Sequence, residues 1–360
     1  MTGRRGEAGA GGGPPPGRDP FRIGGVAVVP GTRRTVDLPV SVLSDHTPIT
    51  MSVHVVHGRR PGPCLFVSAA IHGDEVIGVE IARRLLRLPL LDGLRGTLLV
   101  VPIVNTFGFL NQSRYLPDRR DLNRSFPGSE SGSMAGRLAH LFMREVVANA
   151  DFGIDLHSAA IHRTNLPQVR VSPSKPDTED LARIFGAPVV MRAKLRDGSL
   201  RLEARRRGVD MLLYEAGEGL RFDEFSGRVG VTGIVRVMHA MGMIPAKGVS
   251  RARAASIVAH GSSWVRAPAG GLLRMFKGTG DAVVAGEMLG VISDPFGERE
   301  APVESPAPGL VIGRTNMPVV NEGEALFHIA ETPLSDPAAR VETMTNQVEA
   351  DPMFDEDEII

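Results

Sequence analysis

Two histidines and a glutamate are the residues whose types and spacing most readily imply chemistry. His72 and Glu75 stand three positions apart in Leu65-Phe66-Val67-Ser68-Ala69-Ala70-Ile71-His72-Gly73-Asp74-Glu75, an apolar run that ends in a turn. His157 closes a second apolar run, Phe152-Gly153-Ile154-Asp155-Leu156-His157. Two imidazoles and one carboxylate form a known catalytic zinc set, with water in the fourth position and its pKa lowered towards about 7. Gly73 would let the backbone turn tightly, so that His72 and Glu75 converge on one ion. Plainer roles exist for the same residues: His72 as a polar loop residue, Glu75 as a first-turn glutamate favoured by the helix dipole. Asp155 would either support its neighbouring histidine or shape the strand. A third run, Met211-Leu212-Leu213-Tyr214, leads into Glu215-Ala216-Gly217. Glu215 thus falls where a metal-activated water needs a general base, or is a surface carboxylate beside a turn. With Cys64 as the single cysteine, a cysteine-rich structural zinc site is excluded.

Arginines gather between and after these segments. The proline-punctuated stretch from Ser113 to Gly128 carries Arg114, Arg119, Arg120 and Arg124. A guanidinium clamps a carboxylate with two parallel hydrogen bonds and, in a dry site, stabilises a developing oxyanion; an arginine-rich loop by itself is a solvated face. Beyond His157, Arg163 and Arg170 would either read a second substrate carboxylate or form salt bridges within their loop. His162 would be a metal ligand or proton shuttle or, five residues beyond His157 in an expected loop, a plain polar residue, the reading favoured here. His54 and His57, three apart in an expected strand, point to opposite faces and so do not share an ion. Trp264 and Tyr115 would line a pocket or merely pack.

Residues at the ends of apolar runs need a sheet to position them. From Phe21 to about Gly248, runs such as Cys64–Ala70, Thr97–Val104 and Gly153–Leu156 alternate with helical patterns such as Val76–Leu88 and Met134–Val147. That alternation predicts an α/β fold, a sheet with helices on both faces whose ligand crevice lies at the carboxyl ends of its strands. The short strands expected within Val26–Val56 make the sheet mixed. From about Ser262 to Ala330, Gly, Pro and Val recur at short intervals, the pattern of a small all-β unit. Within it, Ala267-Pro268-Ala269-Gly270-Gly271-Leu272-Leu273 is echoed by Ser305-Pro306-Ala307-Pro308-Gly309-Leu310-Val311, and Gly286-Glu287-Met288-Leu289 by Gly323-Glu324-Ala325-Leu326. This repeat predicts a quasi-twofold sandwich of hairpins. Gly280-Asp281-x-Val283-x-x-Gly286-Glu287 also resembles the hammerhead of lipoyl and biotinyl carriers, but the corresponding tip, Ser293 to Arg299, has no lysine to modify. The expected organisation is a disordered Gly/Pro-rich arm over 1–20, a catalytic domain over 21–250, the small β-domain over 258–331 and a disordered acidic tail over 332–360.

Composition narrows the function classes. At 360 residues and 42% hydrophobic content the chain can bury a sizeable core. Forty-one basic residues balance 41 acidic ones, which leaves no electrostatic footprint for nucleic acid or an anionic membrane. No stretch approaches a spanning helix, and the N-terminus lacks the apolar core of a secretory signal. A lone cysteine fits a reducing compartment, and a cytoplasmic protein is expected. Nothing in the sequence sets an oligomeric state, so a homo-oligomer stays open.

Taken in order, His72-x-x-Glu75, Asp121-Leu122-Asn123-Arg124, Asp155-Leu156-His157 and Glu215-Ala216-Gly217 closely resemble the succinylglutamate desuccinylase and aspartoacylase family, a branch of the zinc carboxypeptidase-like (M14) superfamily. The resemblance covers roughly Phe21 to Ala330. It implies one zinc ion held by His72, Glu75 and His157, a general base in Glu215, and a substrate-carboxylate clamp in Asn123 and Arg124. It also implies that Arg114 polarises the scissile carbonyl, a part Arg119 or Arg120 could take instead. The implied reaction is hydrolysis of the amide bond of an N-acyl amino acid, or a similar small carboxylate-bearing amide, by metal-activated water. A carboxypeptidase acting on small peptides would use the same groups. A non-catalytic carrier or scaffold built on the hammerhead-like unit would bind no zinc.

Overall fold

The computed structural model describes residues 18–172, 175–252, 254–332 and 336–351. Its centre is a 13-stranded mixed sheet. Four strands, Arg95–Val101, Arg60–Ala69, Phe152–His157 and Asp210–Gly217, run parallel side by side in that order. Antiparallel strands Pro48–His57 and Thr32–Val42 extend one edge. Arg163–Val171 adds antiparallel to Asp210–Gly217 on the other.

The parallel strands are continuous apolar runs because helices cover both faces. On one face Ile77–Arg87, Pro176–Phe185 and Glu224–Ala240 pack around Leu65, Val67, Ile154, Leu156 and Leu212. On the other, Met134–Glu145 and Leu200–Arg206 close over Phe66, Leu99 and Met211. Local chemistry starts these helices: the side chains of Ser133, Ser199 and Asp223 accept from the backbone N–H groups of Gly136, Leu202 and Ser226. In Ile77–Arg87 the buried positions Ile77, Gly78, Ile81, Ala82 and Leu85 follow the helical period, while Arg83 faces outward. A Cβ on Gly78 would stand 2.8 Å from the Cβ atoms of both Ala69 and Leu156. Glycine there lets the helix rest directly on the two strands that carry His72 and His157.

The small all-β region has the expected internal symmetry. Gly271–Met275, Ala282–Val283 and Met288–Ser293 repeat as Gly309–Thr315, Val319–Val320 and Ala325–Glu331. The halves interlock reciprocally: Gly271–Met275 pairs with Val319–Val320, and Ala282–Val283 with Gly309–Thr315. Three of its strands also continue the central sheet. Gly309–Thr315 pairs antiparallel with residues 163–165, and Ala325–Glu331 and Gly261–Arg266 follow it.

The expectations about the ends are corrected only where their residues are described. The acidic tail was expected to be disordered throughout 332–360, but Pro337–Glu349 is a helix that packs on Glu224–Ala240. Pro337 occupies its first turn, Asp336 caps Ala339, and the buried residues Val341, Met344 and Val348 make an apolar stripe among the acidic ones. Residues 352–360 lie outside the described residues. Of the arm expected over 1–20, residues 1–17 likewise lie outside them. Arg18 is anchored, its guanidinium donating to the carbonyls of Gly58 and Gly96 and to Thr97 Oγ1. No helix among the described residues is long and apolar enough to cross a membrane.

Gly78→Ala should destabilise the fold by about 1–3 kcal/mol, because overpacking there has only strand atoms to displace. Denaturant unfolding checks this, with exposed Arg83→Ala on the same helix expected within about 0.5 kcal/mol of the parent.

Candidate metal centre and active site

The carboxyl ends of three neighbouring parallel strands deliver the site. Arg60–Ala69 leads through a turn to His72 and Glu75, Phe152–His157 ends on His157, and Asp210–Gly217 carries Glu215, which lies in register beside His157. The turn to His72 works differently from the expectation. Its left-handed residue is Ala70, at φ 50°. Gly73 is needed for close approach, since a Cβ there would lie 1.9 Å from the carbonyl carbon of Gly108.

Three side chains converge. Glu75 Oε1 lies 2.6 Å from His72 Nδ1, and Oε2 lies 2.6 Å from His157 Nδ1. One ligand atom from each falls within 4.8 Å of the others, and all three residues are buried. The far ring nitrogens are held by carboxylates. His72 Nε2 donates to Asp121 Oδ1 at 3.1 Å, and His157 Nε2 to Asp155 Oδ2 at 2.7 Å. Ser68 Oγ fixes Asp155 in turn, at 2.7 Å. A carboxylate behind each imidazole fixes its Nε2–H tautomer, so the neutral ring aims the Nδ1 lone pair at the shared centre. This donor set fits a divalent ion of the zinc type.

Electrostatics agree with the geometry. Burial opposes charge on Glu75, but the two imidazoles outweigh it and hold the carboxyl well below its usual range. Burial likewise works against an imidazolium at His157, and the charges of Asp155 and Glu75 overcome it, so its pKa lies well above the ordinary value. His72 is raised for the same reason, with Glu75 as its main support against burial. An ion bound at this centre would compete with protons for Nδ1 of both rings.

One cavity of ≈ 220 Å³ brings together His72, Glu75, His157, Glu215, Arg114, Asn123, Arg124, Arg163 and Arg170. Arg114 sits over the His72–Glu75–His157 cluster, with Nη1 3.2 Å from His72 Nδ1 and Nη2 donating to Asp121 Oδ2 at 3.0 Å. Asn123 Oδ1 accepts from Leu200 N at 2.9 Å, which leaves its Nδ2 to donate. Arg124 Nη1 donates to the carbonyl of Asn123. Arg119 and Arg120 are exposed and do not line the cavity, which leaves Arg114 as the arginine near the cluster.

Arg163 and Arg170, placed together in the sequence reading, separate here. Arg170 lies on a strand, not in a loop, and its Nη1 is 3.2 Å from Glu215 Oε1. Its partner is thus the expected base. Arg163 is placed over the indole of Trp264, 5.3 Å from the ring centroid, and Trp264 stacks on His328 at 4.4 Å and 6°. Burial, then the charge of Arg170, depresses the His328 pKa to about 3, so that ring is neutral. Tyr115 is exposed and does not line the cavity, whereas Trp264 does.

Sequence reasoning missed Arg196, Arg201 and Asn165, which also line the cavity. Arg201 hides in the run Arg201-Leu202-Glu203-Ala204-Arg205-Arg206-Arg207, which reads as a solvated basic helix. Burial, and then the like charge of Arg170, lowers its pKa to about 10. Its buried Nη1 has no hydrogen-bond partner among the described residues. The role of Asp121 was legible only as part of the Asp-Leu-Asn-Arg motif.

Zinc binding should release protons, and affinity should fall as pH drops through the raised imidazole pKa values, because protons then compete for Nδ1. Titration calorimetry in buffers of different ionisation enthalpy measures both. Asp121→Asn and Asp155→Asn should each weaken zinc about 10–100-fold; unchanged affinity in both would show that the outer carboxylates do not support the ligands.

The catalytic domain of succinylglutamate desuccinylase/aspartoacylase matches residues 61–241, a span that holds every metal-cluster residue, the Arg114–Arg124 segment and Glu215. N-alpha-acetyl-L-2,4-diaminobutyric acid deacetylase of Halomonas elongata is 27% identical over 286 residues, 76% of this chain and 83% of that protein. A solved succinylglutamate desuccinylase/aspartoacylase from Rhodobacter sphaeroides is 25% identical with a TM-score of 0.73, covering 83% of this chain and 96% of its own. The product-bound ectoine utilization protein of Ruegeria pomeroyi shares the fold, with a TM-score of 0.75 at 22% identity, covering 84% and 95%. The chain belongs to the succinylglutamate desuccinylase/aspartoacylase family.

Proposed function

We propose that the protein is a zinc-dependent deacylase that hydrolyses the amide bond of a small N-acyl amino acid carrying a second anionic group. The observation that supports this best is one cavity holding a metal-type cluster, a carboxylate held beside it, and six arginines against three carboxylates. Such a surplus of fixed cations attracts and orients anions.

A zinc ion held by His72, Glu75 and His157 would supply Lewis acidity, lowering the pKa of a water towards about 7 and polarising the scissile carbonyl. Glu215 takes the proton of the attacking water and returns it to the departing amine. Arg114 donates to the carbonyl oxygen as negative charge grows on it. Asn123 Nδ2 and Arg124 hold the α-carboxylate, so the amide stays in register with Glu215. Arg163, Arg196 and Arg201 have no salt bridge to a carboxylate among the described residues and face the remaining space. A second carboxylate there would satisfy the buried Nη1 of Arg201, whose isolation is otherwise costly. The deacetylase of Halomonas elongata is named for a substrate with a side-chain amine; the arginines of this cavity favour an acidic side chain or an acidic acyl group.

The test is a hydrolysis screen of N-acetyl and N-succinyl derivatives of aspartate, glutamate and 2,4-diaminobutyrate, with blocked di- and tripeptides alongside. Acidic derivatives should be cleaved with the highest kcat/KM. Glu215→Ala should retain zinc and lose about 100-fold or more in kcat. Preferential cleavage of the peptides would instead identify a carboxypeptidase, and full activity in Glu215→Ala would remove the base.

A further inference from the structure

The small β-domain pairs directly with the strand that holds Glu215. Both carboxylate oxygens of Glu215 are held from the strand Arg163–Val171: Oε1 by Arg170 at 3.2 Å and Oε2 by Asn165 Nδ2 at 2.9 Å. Asn165 is buried, and it sits where this strand leaves the catalytic sheet and pairs with the β-domain. Its cross-strand partner there is Gly313, and Gly313 pairs onward with His328, which pairs with Trp264. On its other side Asn165 pairs with Gly217, two residues past Glu215, across a bulge.

The amide of Asn165 has one orientation that works. A carboxylate only accepts, so Nδ2 must face Glu215 and Oδ1 must face the β-domain. A Cβ built on Gly313 would lie 2.7 Å from that Oδ1, while its next neighbours, Thr164 O and His328 Cβ, stand at 3.4 and 3.5 Å. Gly313 therefore leaves the space into which Asn165 turns. The strand around Asn165 is fixed from the same side. Asn316 Nδ2 donates to Thr164 Oγ1 at 2.6 Å and to Glu218 Oε2 at 2.9 Å, and Gln168 Nε2 donates to the carbonyl of Ile312 at 3.3 Å.

We infer that Asn165 is the positioning residue of the Glu215 base, and that the small β-domain sets its orientation through the gap at Gly313. This rests on the hydrolytic reading of Glu215. With the carboxylate held at both oxygens from one strand, the lone pair that receives the proton keeps a constant direction. A base free to rotate would spend part of its time misaligned, and misplacement by about 1 Å can cost a hundredfold in rate.

Steady-state kinetics on the best-cleaved N-acyl amino acid of the screen test it in three variants. Gly313→Ala lies outside the cavity lining, and the added Cβ would come under 3.4 Å only to the side-chain oxygen of Asn165. It should lower kcat about 10-fold or more with KM within about 2-fold and zinc content unchanged. Asn165→Ala should do the same, and the double variant should be no worse than Asn165→Ala, because both act through one contact. A wild-type kcat in Gly313→Ala, or losses that multiply in the double variant, overturns the coupling. Asn165→Ala adds no atoms and decides the role of Asn165 if Gly313→Ala fails to fold; unchanged kcat there overturns it. A wild-type protein that cleaves no member of the screen overturns the hydrolytic reading and the positioning role together. Active wild type with unaffected variants removes the positioning role alone.

Discussion

One buried carboxylate holds this site together. Glu75 lies between two imidazoles, 2.6 Å from each, in a region with almost no contact with solvent. Charge so concentrated and so dry is tolerated only when each member is compensated, and here compensation extends outward in every direction. Asp121 and Asp155 stand behind the histidines, Ser68 behind Asp155, and Arg114 against Asp121. The backbone N–H of Ser158 also donates to Glu75 Oε2. The arrangement has the donors of a candidate metal centre and the packing of a hydrogen-bonded knot.

The fold around that knot is shaped by close approach. Gly73 lies against Gly108, Gly78 lies on Ala69 and Leu156, and a Cβ on Gly153 would stand 2.2 Å from the ring of Phe66. Each glycine allows backbone or ring to come within a distance any other side chain would forbid. The two ligand-bearing strands consequently share one pair of packed faces, covered by helices on both sides. Tolerance for displacement in such an interior is small, which suits a centre whose ligand atoms must agree to fractions of an ångström.

The sheet then extends beyond the catalytic unit. Because Gly309–Thr315 hydrogen-bonds to the strand that carries Asn165 and Arg170, the β-domain is structurally part of the catalytic sheet. It contributes Trp264 to the cavity wall and pins the segment after His157 through Asn316 and Glu218. The arginines that face the cavity come from the Arg114–Arg124 segment, the strand after His157, and the segment from Arg196 to Arg201. Their charges add because the fold turns them toward one space.

By itself, the sequence determined whatever depends on near neighbours. Apolar runs that end in His72, His157 and Glu215 are legible because a strand buried on both faces is a local pattern, and its last residue falls at the crevice of a parallel sheet. The internal repeat of the β-domain is legible for the same reason, as its halves share turn residues in order. Only the tertiary structure decided who faces whom. Arg170 could be an anion reader or an ion-pair partner until register set it against Glu215. Arg201 was not singled out among the arginines of its run, and Asn165 carried no signal, because its partners lie 50 residues away at Glu215 and across a strand from another domain at Gly313. The apolar stripe of Pro337–Glu349 was masked by acidic neighbours and became a buried face only against Glu224–Ala240. Residue type and spacing specify the possible chemistry of a side chain, but its partner depends on strand register and helix packing, which are set by contacts distant in the chain.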